Sequence, residues 1–156
     1  MAAVEKPEQI RRLEQHLGLR LHPLRTGKIT DYRNRKCYEI DDQGDIGGLN
    51  LHSCPVADWS FLKGLTQLTS LHMSNTRIAD GSFLKGLTQL TSLTLGDTRI
   101  ADGSFLKGLT QLTSLDLSNS QITDGSFLKG LTQLTSLELK DGNLRTLPEE
   151  LLGRID

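Results

Sequence analysis

Few residues in this 156-residue chain have the type and spacing for chemistry. His52 and His72, with Asp116 further along, come nearest to a ligand or catalytic set. A metal centre needs three or four converging ligands, and a hydrolytic centre needs a nucleophile held by a base. Two histidines supply neither, so no catalysis, no metal and no cofactor is expected. Asp58, Asp80, Asp102 and Asp124 recur like a row of ligands. Each stands just ahead of a serine and an apolar turn, where a carboxylate or hydroxyl oxygen caps an orphan amide. Gly27-Lys28-Ile29-Thr30 has the lysine of a phosphate loop but lacks its upstream glycine. Cys37 and Cys54 make no disulfide framework, which fits a reducing compartment. Arg20, Arg25, Lys28, Arg33, Arg35 and Lys36, set against Asp31 alone, read as a solvated loop. Only Tyr32 and Tyr38 accompany them, too few aromatics to stack bases. A formal net charge of −1 also argues against nucleic acid as the partner.

The elements that position these residues come from one repeat. Phe-Leu-Lys-Gly-Leu-Thr-Gln-Leu-Thr-Ser-Leu begins at Phe61, Phe83, Phe105 and Phe127, each interval being 22 residues. Leu68, Leu71, Met73, Thr76 and Ile78 recur as Leu90, Leu93, Leu95, Thr98 and Ile100, then as Leu112, Leu115, Leu117, Ser120 and Ile122. Leu134, Leu137, Leu139, Gly142 and Leu144 form a further copy, and Ile46, Leu49, Leu51, Cys54 and Val56 a diverged first one. Leu71-x-Met73 alternates with period two, so a short strand points both side chains inward. One such strand cannot bury that face. Five stacked coils bury a continuous column, built from leucines that make up 30 of the 156 residues.

The fold class expected is an α/β solenoid: a right-handed leucine-rich-repeat coil, with a parallel β-sheet on its concave face and short 3₁₀ or irregular convex segments. Leu84, Leu87 and Leu90 at i, i+3 and i+6 suit a 3₁₀-like return limb. The Phe61, Phe83, Phe105 and Phe127 column reads as an aromatic spine. Trp59, in the slot that becomes Gly81, Gly103 and Gly125, is expected to close its amino-terminal end. Cys54, Thr76, Thr98, Ser120 and Gly142 occupy the slot of an asparagine ladder, and the last coil is expected to loosen at its glycine.

Residues 1–45 read as an amino-terminal cap. It contains a helix over 7–17, a strand that begins with Leu19-x-Leu21 and ends at Pro23, a loop over 24–36 and a hairpin over 37–46. Five repeats follow over 46–144, and 145–156 is a short carboxyl-terminal cap. No run approaches the about 18 apolar residues of a membrane span. The start, Met1-Ala-Ala-Val-Glu-Lys-Pro, has no apolar signal core, so a cytoplasmic location is expected.

The repeats resemble the bacterial 22-residue, internalin-like leucine-rich repeats, whose pattern falls here on Ile78, Asp80, Ser82, Leu84, Leu87 and Leu90. Over about 12 residues, Ile10 to Leu21 is similar to the leucine-rich-repeat domain of bacterial Roco proteins. The resemblance implies a bacterial, non-enzymatic binding protein. Gly81 and Phe83 stand where that family has a bulky apolar residue or proline. Eleven residues unchanged in four copies fit recent tandem duplication or an engineered repeat scaffold.

The copies differ where the strand and the turn after it face outward. The columns are Asn50, His72, Thr94, Asp116, Glu138; His52, Ser74, Gly96, Ser118, Lys140; Ser53, Asn75, Asp97, Asn119, Asp141; and Pro55, Arg77, Arg99, Gln121, Asn143. Lys63, Lys85, Lys107 and Lys129, also expected at the surface, do not vary. A partner-binding concave face is therefore expected, with Asn50, His52, His72, Ser74, Arg77, Thr94, Asp97, Arg99, Asp116, Asn119, Glu138 and Lys140 as its contact residues and a protein as its partner. The alternative is an assembly element docking through its carboxyl-terminal end, as a weak homodimer or onto another domain.

Overall fold

A computed structural model of the protein describes residues 6–24 and 36–151. The elements are α1 (Glu8–Leu17), β1 (His22–Pro23), β2 (Cys37–Ile40), β3 (Ile46–Asn50), β4 (Ser70–His72), β5 (Ser92–Thr94), β6 (Ser114–Asp116) and β7 (Ser136–Glu138). They form one seven-stranded sheet in sequence order. β1 is parallel to β2, β2 is antiparallel to β3, and β3 to β7 are all parallel. The register repeats the sequence period: Leu49, Leu71, Leu93, Leu115 and Leu137 stand side by side. The fold is the open solenoid that the repeat predicts.

The return limbs are 3₁₀ turns at Ser60–Gly64, Ser82–Leu84, Ser104–Gly108 and Ser126–Gly130. The leucine spacing sets them. Leu84, Leu87 and Leu90 each donate a backbone N–H to the carbonyl three residues back, and Leu106, Leu109 and Leu112 repeat this a coil later. All six side chains are buried.

The aromatic column differs from a ring-on-ring spine. Phe105 lies over Gly81 and Phe127 over Gly103, so each ring fills the slot that the preceding coil's glycine leaves empty. Trp59 stacks on Phe83 at a centroid distance of 6.4 Å, and the His16 ring of α1 covers Phe61 at 4.6 Å. The end of the column is thus closed by the cap helix, while the indole substitutes for the glycine slot of coil one.

The asparagine-ladder slot works within each coil. Thr76 and Thr98 hydroxyls donate to the Met73 and Leu95 carbonyls, both at 2.8 Å. Gly142 does not loosen its coil there: its N–H still reaches the Leu139 carbonyl at 3.1 Å, as Ser120 does to Leu117. Coils are joined instead by an unforeseen threonine ladder. Thr69, Thr91, Thr113 and Thr135 hydroxyls donate to the carbonyls of Gly47, Thr69, Thr91 and Thr113 at 3.0–3.1 Å, beside their own backbone N–H bonds to the same oxygens.

In the cap, α1 buries Ile10, Leu13 and Leu17 and stops at Gly18, whose φ of 63° ends the helix in the left-handed region. Of the strand expected from Leu19 to Pro23, only His22–Pro23 forms, because Leu21 is buried in the core and Glu14 Oε1 accepts its N–H at 2.6 Å. Lys6 pairs with the same carboxylate at 2.7 Å. Burial pushes the Glu14 pKa up, but the Lys6 and Leu21 hydrogen bonds and the charges of Lys6 and Arg20 outweigh it and hold the group below its ordinary value. The expected loop lies, apart from residues 24 and 36, outside the described residues.

At the other end, the segment after coil five pairs with the limb of coil four. Arg145 donates its backbone N–H to Thr123 O at 2.9 Å, and Thr146 pairs with Asp124. Pro148 and Leu151 are buried, whereas Leu147 is 42% exposed.

Candidate interaction surface on the sheet face

Strand alternation puts the first variable column opposite the leucines, and the register aligns Asn50, His72, Thr94, Asp116 and Glu138 across β3 to β7. Exposure along this row is graded. Asn50 is 0% and His72 6% exposed, Thr94 and Asp116 are half-buried, and Glu138 is exposed. Ser74 is buried as well. Asn50, His72 and Ser74 therefore present almost no surface, against the expectation that the whole row is exposed. The accessible part begins at Thr94 and runs toward β7.

Asp116 is held in place there. Its Oδ1 accepts the Ser118 N–H at 2.8 Å, and its carboxylate leans over Gly96, where a Cβ would stand 3.2 Å from Oδ2. A missing side chain at Gly96 thus gives the carboxylate its place. Glu138 and Lys140 follow on coil five, both exposed.

The third column has a backbone reason for its composition. Ser53, Asn75, Asp97, Asn119 and Asp141 all have φ of 53–56°, the left-handed region that Asn and Asp tolerate better than other side chains. Asn75 Nδ2 donates to Ser53 Oγ at 2.8 Å, and Asn119 Nδ2 to Asp97 Oδ1 at 2.9 Å. Asp97 and Asn119 are exposed at the rim of the sheet face, but their residue type follows first from the turn.

Arg77 lies elsewhere. It lines a shallow groove of about 590 Å³ with Trp59, Lys63, Ile78 and Asp80 at the amino-terminal coils, away from the sheet face. Arg99 holds the equivalent place one coil on and is exposed. Sequence reading missed this groove, although Trp59, the one bulky residue in a glycine slot, marks it.

The aspartate row caps, in a modified form. Asp58, Asp80, Asp102 and Asp124 each accept the backbone N–H of the serine two residues on through Oδ1 at 2.8–2.9 Å. The serine hydroxyl does not act as a cap; it donates to Oδ2 at 2.8–3.0 Å. The backbone bond, then the hydroxyl bond, holds each carboxyl below its ordinary pKa. Cys37 and Cys54 are buried and not joined in a disulfide, and burial pushes the Cys54 thiol up. His52 and His72 do approach, with Nδ1 and Nε2 3.4 Å apart. Among the described residues, no group of three or more His, Cys, Asp or Glu is placed to hold a metal ion, and no helix is long and apolar enough to cross a membrane.

Repeat, sheet register and 3₁₀ limbs together define a leucine-rich-repeat solenoid. The family model "Leucine Rich repeats (2 copies)" matches residues 88–124. The whole architecture is similar to internalin C2 from Listeria monocytogenes, with 27% identity and a TM-score of 0.68, over 88% of this chain and 67% of that one. The fold is also that of the functional domain of InlJ from Listeria monocytogenes, which includes a cysteine ladder (21% identity, TM-score 0.57, 72% of this chain and 25% of that one). It is shared with the leucine-rich-repeat domain of APL1B (18% identity, TM-score 0.59, 70% of this chain and 36% of that one). The chain thus spans a quarter to about two thirds of these proteins. No curated protein matches it. Leucine-rich-repeat proteins generally mediate protein–protein interaction and are typically non-enzymatic.

Proposed function

We propose that the chain binds a protein partner through the sheet face of coils three to five. One observation carries this reading: among coils otherwise nearly identical, substitution concentrates on Thr94, Asp116, Glu138 and Lys140, which are also the accessible part of the face. Asp97 and Asn119 form the rim. Exposure alone does not account for the pattern, because the exposed Lys63, Lys85, Lys107 and Lys129 are invariant. Two buried thiols with no disulfide suit the cytoplasm as the place of action.

The test is partner capture by Thr94→Ala, Asp116→Ala, Glu138→Ala combined. Capture is expected to be lost while the fold, followed by circular dichroism, persists. Capture that survives this set and disappears on changing Lys85 and Lys107 places the surface on the other side.

A second reading, weak self-association through the carboxyl-terminal end, has one observation in its favour. Leu147 is the exposed large hydrophobic residue among those described, and it follows Thr146, which pairs with Asp124 of the coil before. Leu152 lies outside the described residues.

A further inference from the structure

We propose that the groove between coils one and two captures the free carboxyl terminus of a partner protein that ends in an apolar residue. The groove lies away from the sheet face of coils three to five, and the proposal is independent of any binding there. It opens because one seam of the solenoid stays unclosed. In the middle coils Arg99 donates its backbone N–H to Ile78 O at 2.8 Å, and Gln121 donates to Ile100 O at 2.9 Å. The last seam moves this bond to Arg145 N–H and Thr123 O. The equivalent atoms of the first seam are Arg77 N–H and Val56 O, and among the described residues neither has a hydrogen-bond partner. Trp59 gives the reason. Its indole fills the slot that Gly81 and Gly103 leave to a later coil's ring, so Phe83 stands beside it with centroids 6.4 Å apart instead of settling over coil one.

The polar groups of this seam match a chain terminus. Arg77 brings two donors, its backbone N–H and its guanidinium, and the guanidinium has no carboxylate partner among the described residues. The two carboxylates of the groove are already served: Ser60 and Ser82 hold Asp58 and Asp80, with Lys63 and Lys85 as their counter-charges. The surplus charge is therefore that of Arg77, and its complement is an anion. Val56 O, an acceptor, needs a donor next to that anion. A terminal residue has both. Its carboxylate accepts from the Arg77 N–H and guanidinium, while its own backbone N–H donates to Val56 O.

The remaining walls set the side chain. Pro55, Val56, Ile78 and Phe83 line the groove and suit an apolar terminal residue. The volume of about 590 Å³ is that of a small-ligand site, with room for a terminal residue and its neighbour. Arg99, one coil on, carries the same charge, but its N–H is already bonded to Ile78 O. It therefore serves as the control.

The probe is acetyl-Gly-Gly-Ala-Leu with a free carboxyl terminus, titrated into the intact chain. Fluorescence of Trp59, the single tryptophan, reports binding, and hydrogen exchange by NMR follows the Arg77 amide. Saturable binding is expected. Amidation of the peptide terminus and Arg77→Gln should each weaken it about tenfold or more, with Arg99→Gln unchanged. The Arg77 amide should exchange faster than those of Arg99 and Gln121 in the free chain, and the free-acid peptide should slow it. N-acetyl-leucine alone should bind less tightly, because it lays less chain along the groove. The exchange measurement uses the unmodified chain, so it decides even if a variant fails to fold. The proposal is overturned if the amidated peptide binds as tightly as the free acid, if Arg99→Gln weakens binding as much as Arg77→Gln, or if the peptide leaves the Arg77 amide unchanged. It is also overturned if N-acetyl-leucine matches the peptide, which would make a small acid the ligand.

Discussion

Phe105 rests on the backbone of Gly81, one coil before it, so closely that a β-carbon at Gly81 would overlap its ring. Phe127 stands in the same relation to Gly103. Glycine and phenylalanine are thus one packing unit divided between neighbouring coils. Gly81→Ala or Gly103→Ala should each cost about 1–3 kcal/mol by overpacking. Gly86→Ala and Gly108→Ala, whose β-carbons would meet nothing within 4 Å, should leave stability unchanged or slightly raised. Urea melts of the four variants check this.

The core should respond according to position. Leu93 and Leu115 are each 1% exposed between two coils. Their replacement by alanine should cost about 2–5 kcal/mol through the cavity left behind. Leu147→Ala, removing a side chain that already meets solvent, should cost clearly less. Equal midpoints in urea for the three variants would contradict this.

The left-handed turns make a separate prediction. At Asn119, φ is 54°. Asn119→Val should destabilise by about 1–2 kcal/mol, since a β-branched residue resists that conformation. Asn119→Gly should be milder, because glycine adopts the same turn without strain and loses only the bond to Asp97. Thermal melts of the pair measure the difference.

Acid should weaken the fold through the aspartate row. The Ser60, Ser82, Ser104 and Ser126 amides, then their hydroxyls, hold Asp58, Asp80, Asp102 and Asp124 below their ordinary pKa. A carboxylate whose folded pKa lies below its unfolded one adds stability above the unfolded value, and that contribution is lost as pH falls through the folded value. The urea midpoint should therefore fall as pH drops through and below the ordinary aspartate range. Replacing all four by Asn should flatten that acid limb. An unchanged limb would assign the acid sensitivity to other groups, Glu14 first among them.

Self-association is tested by sedimentation. If the Leu147 end pairs with a second copy, weight-average mass should rise with concentration, and Leu147→Lys should abolish the rise. A profile that is monomeric at every concentration removes the second reading.

The repeat made most of the fold legible. Leucine positions repeat every 22 residues, and the register of Leu49 through Leu137 follows from that number alone. The i, i+3, i+6 leucines likewise foretold the 3₁₀ limbs. The cap was harder to read, because it does not repeat. Leu19 and Leu21 have the spacing of a strand, but the Leu21 N–H goes to Glu14 and not to a neighbouring strand, so pairing starts only at His22. The geometry of the candidate surface was half legible. Alternation assigns Asn50 and His72 to the side of the sheet opposite the leucines, but burial on that side depends on what lies over it, which periodicity does not encode. Arg77 was misplaced because alternation stops at the turn after the strand, where a residue with φ near 55° redirects the chain. The threonine ladder escaped notice because Thr69 and its copies are invariant, and an invariant polar residue looks the same whether it binds water or a neighbouring carbonyl.

That ladder has a consequence for how the chain can change length. Each threonine hydroxyl reaches a carbonyl 22 residues earlier, and the phenylalanine-on-glycine contact, which spans 24 residues, recurs one coil on. Excising residues 105–126 would bring Phe127 onto Gly81 and Thr135 onto the Thr91 carbonyl, recreating junctions chemically identical to those lost. Coils two to four are thus interchangeable parts with a common fitting. Genetic recombination between their near-identical segments would yield shorter or longer solenoids in whole-coil steps, each folded at its seams, while the sheet face between the fixed ends shrinks or grows by one strand.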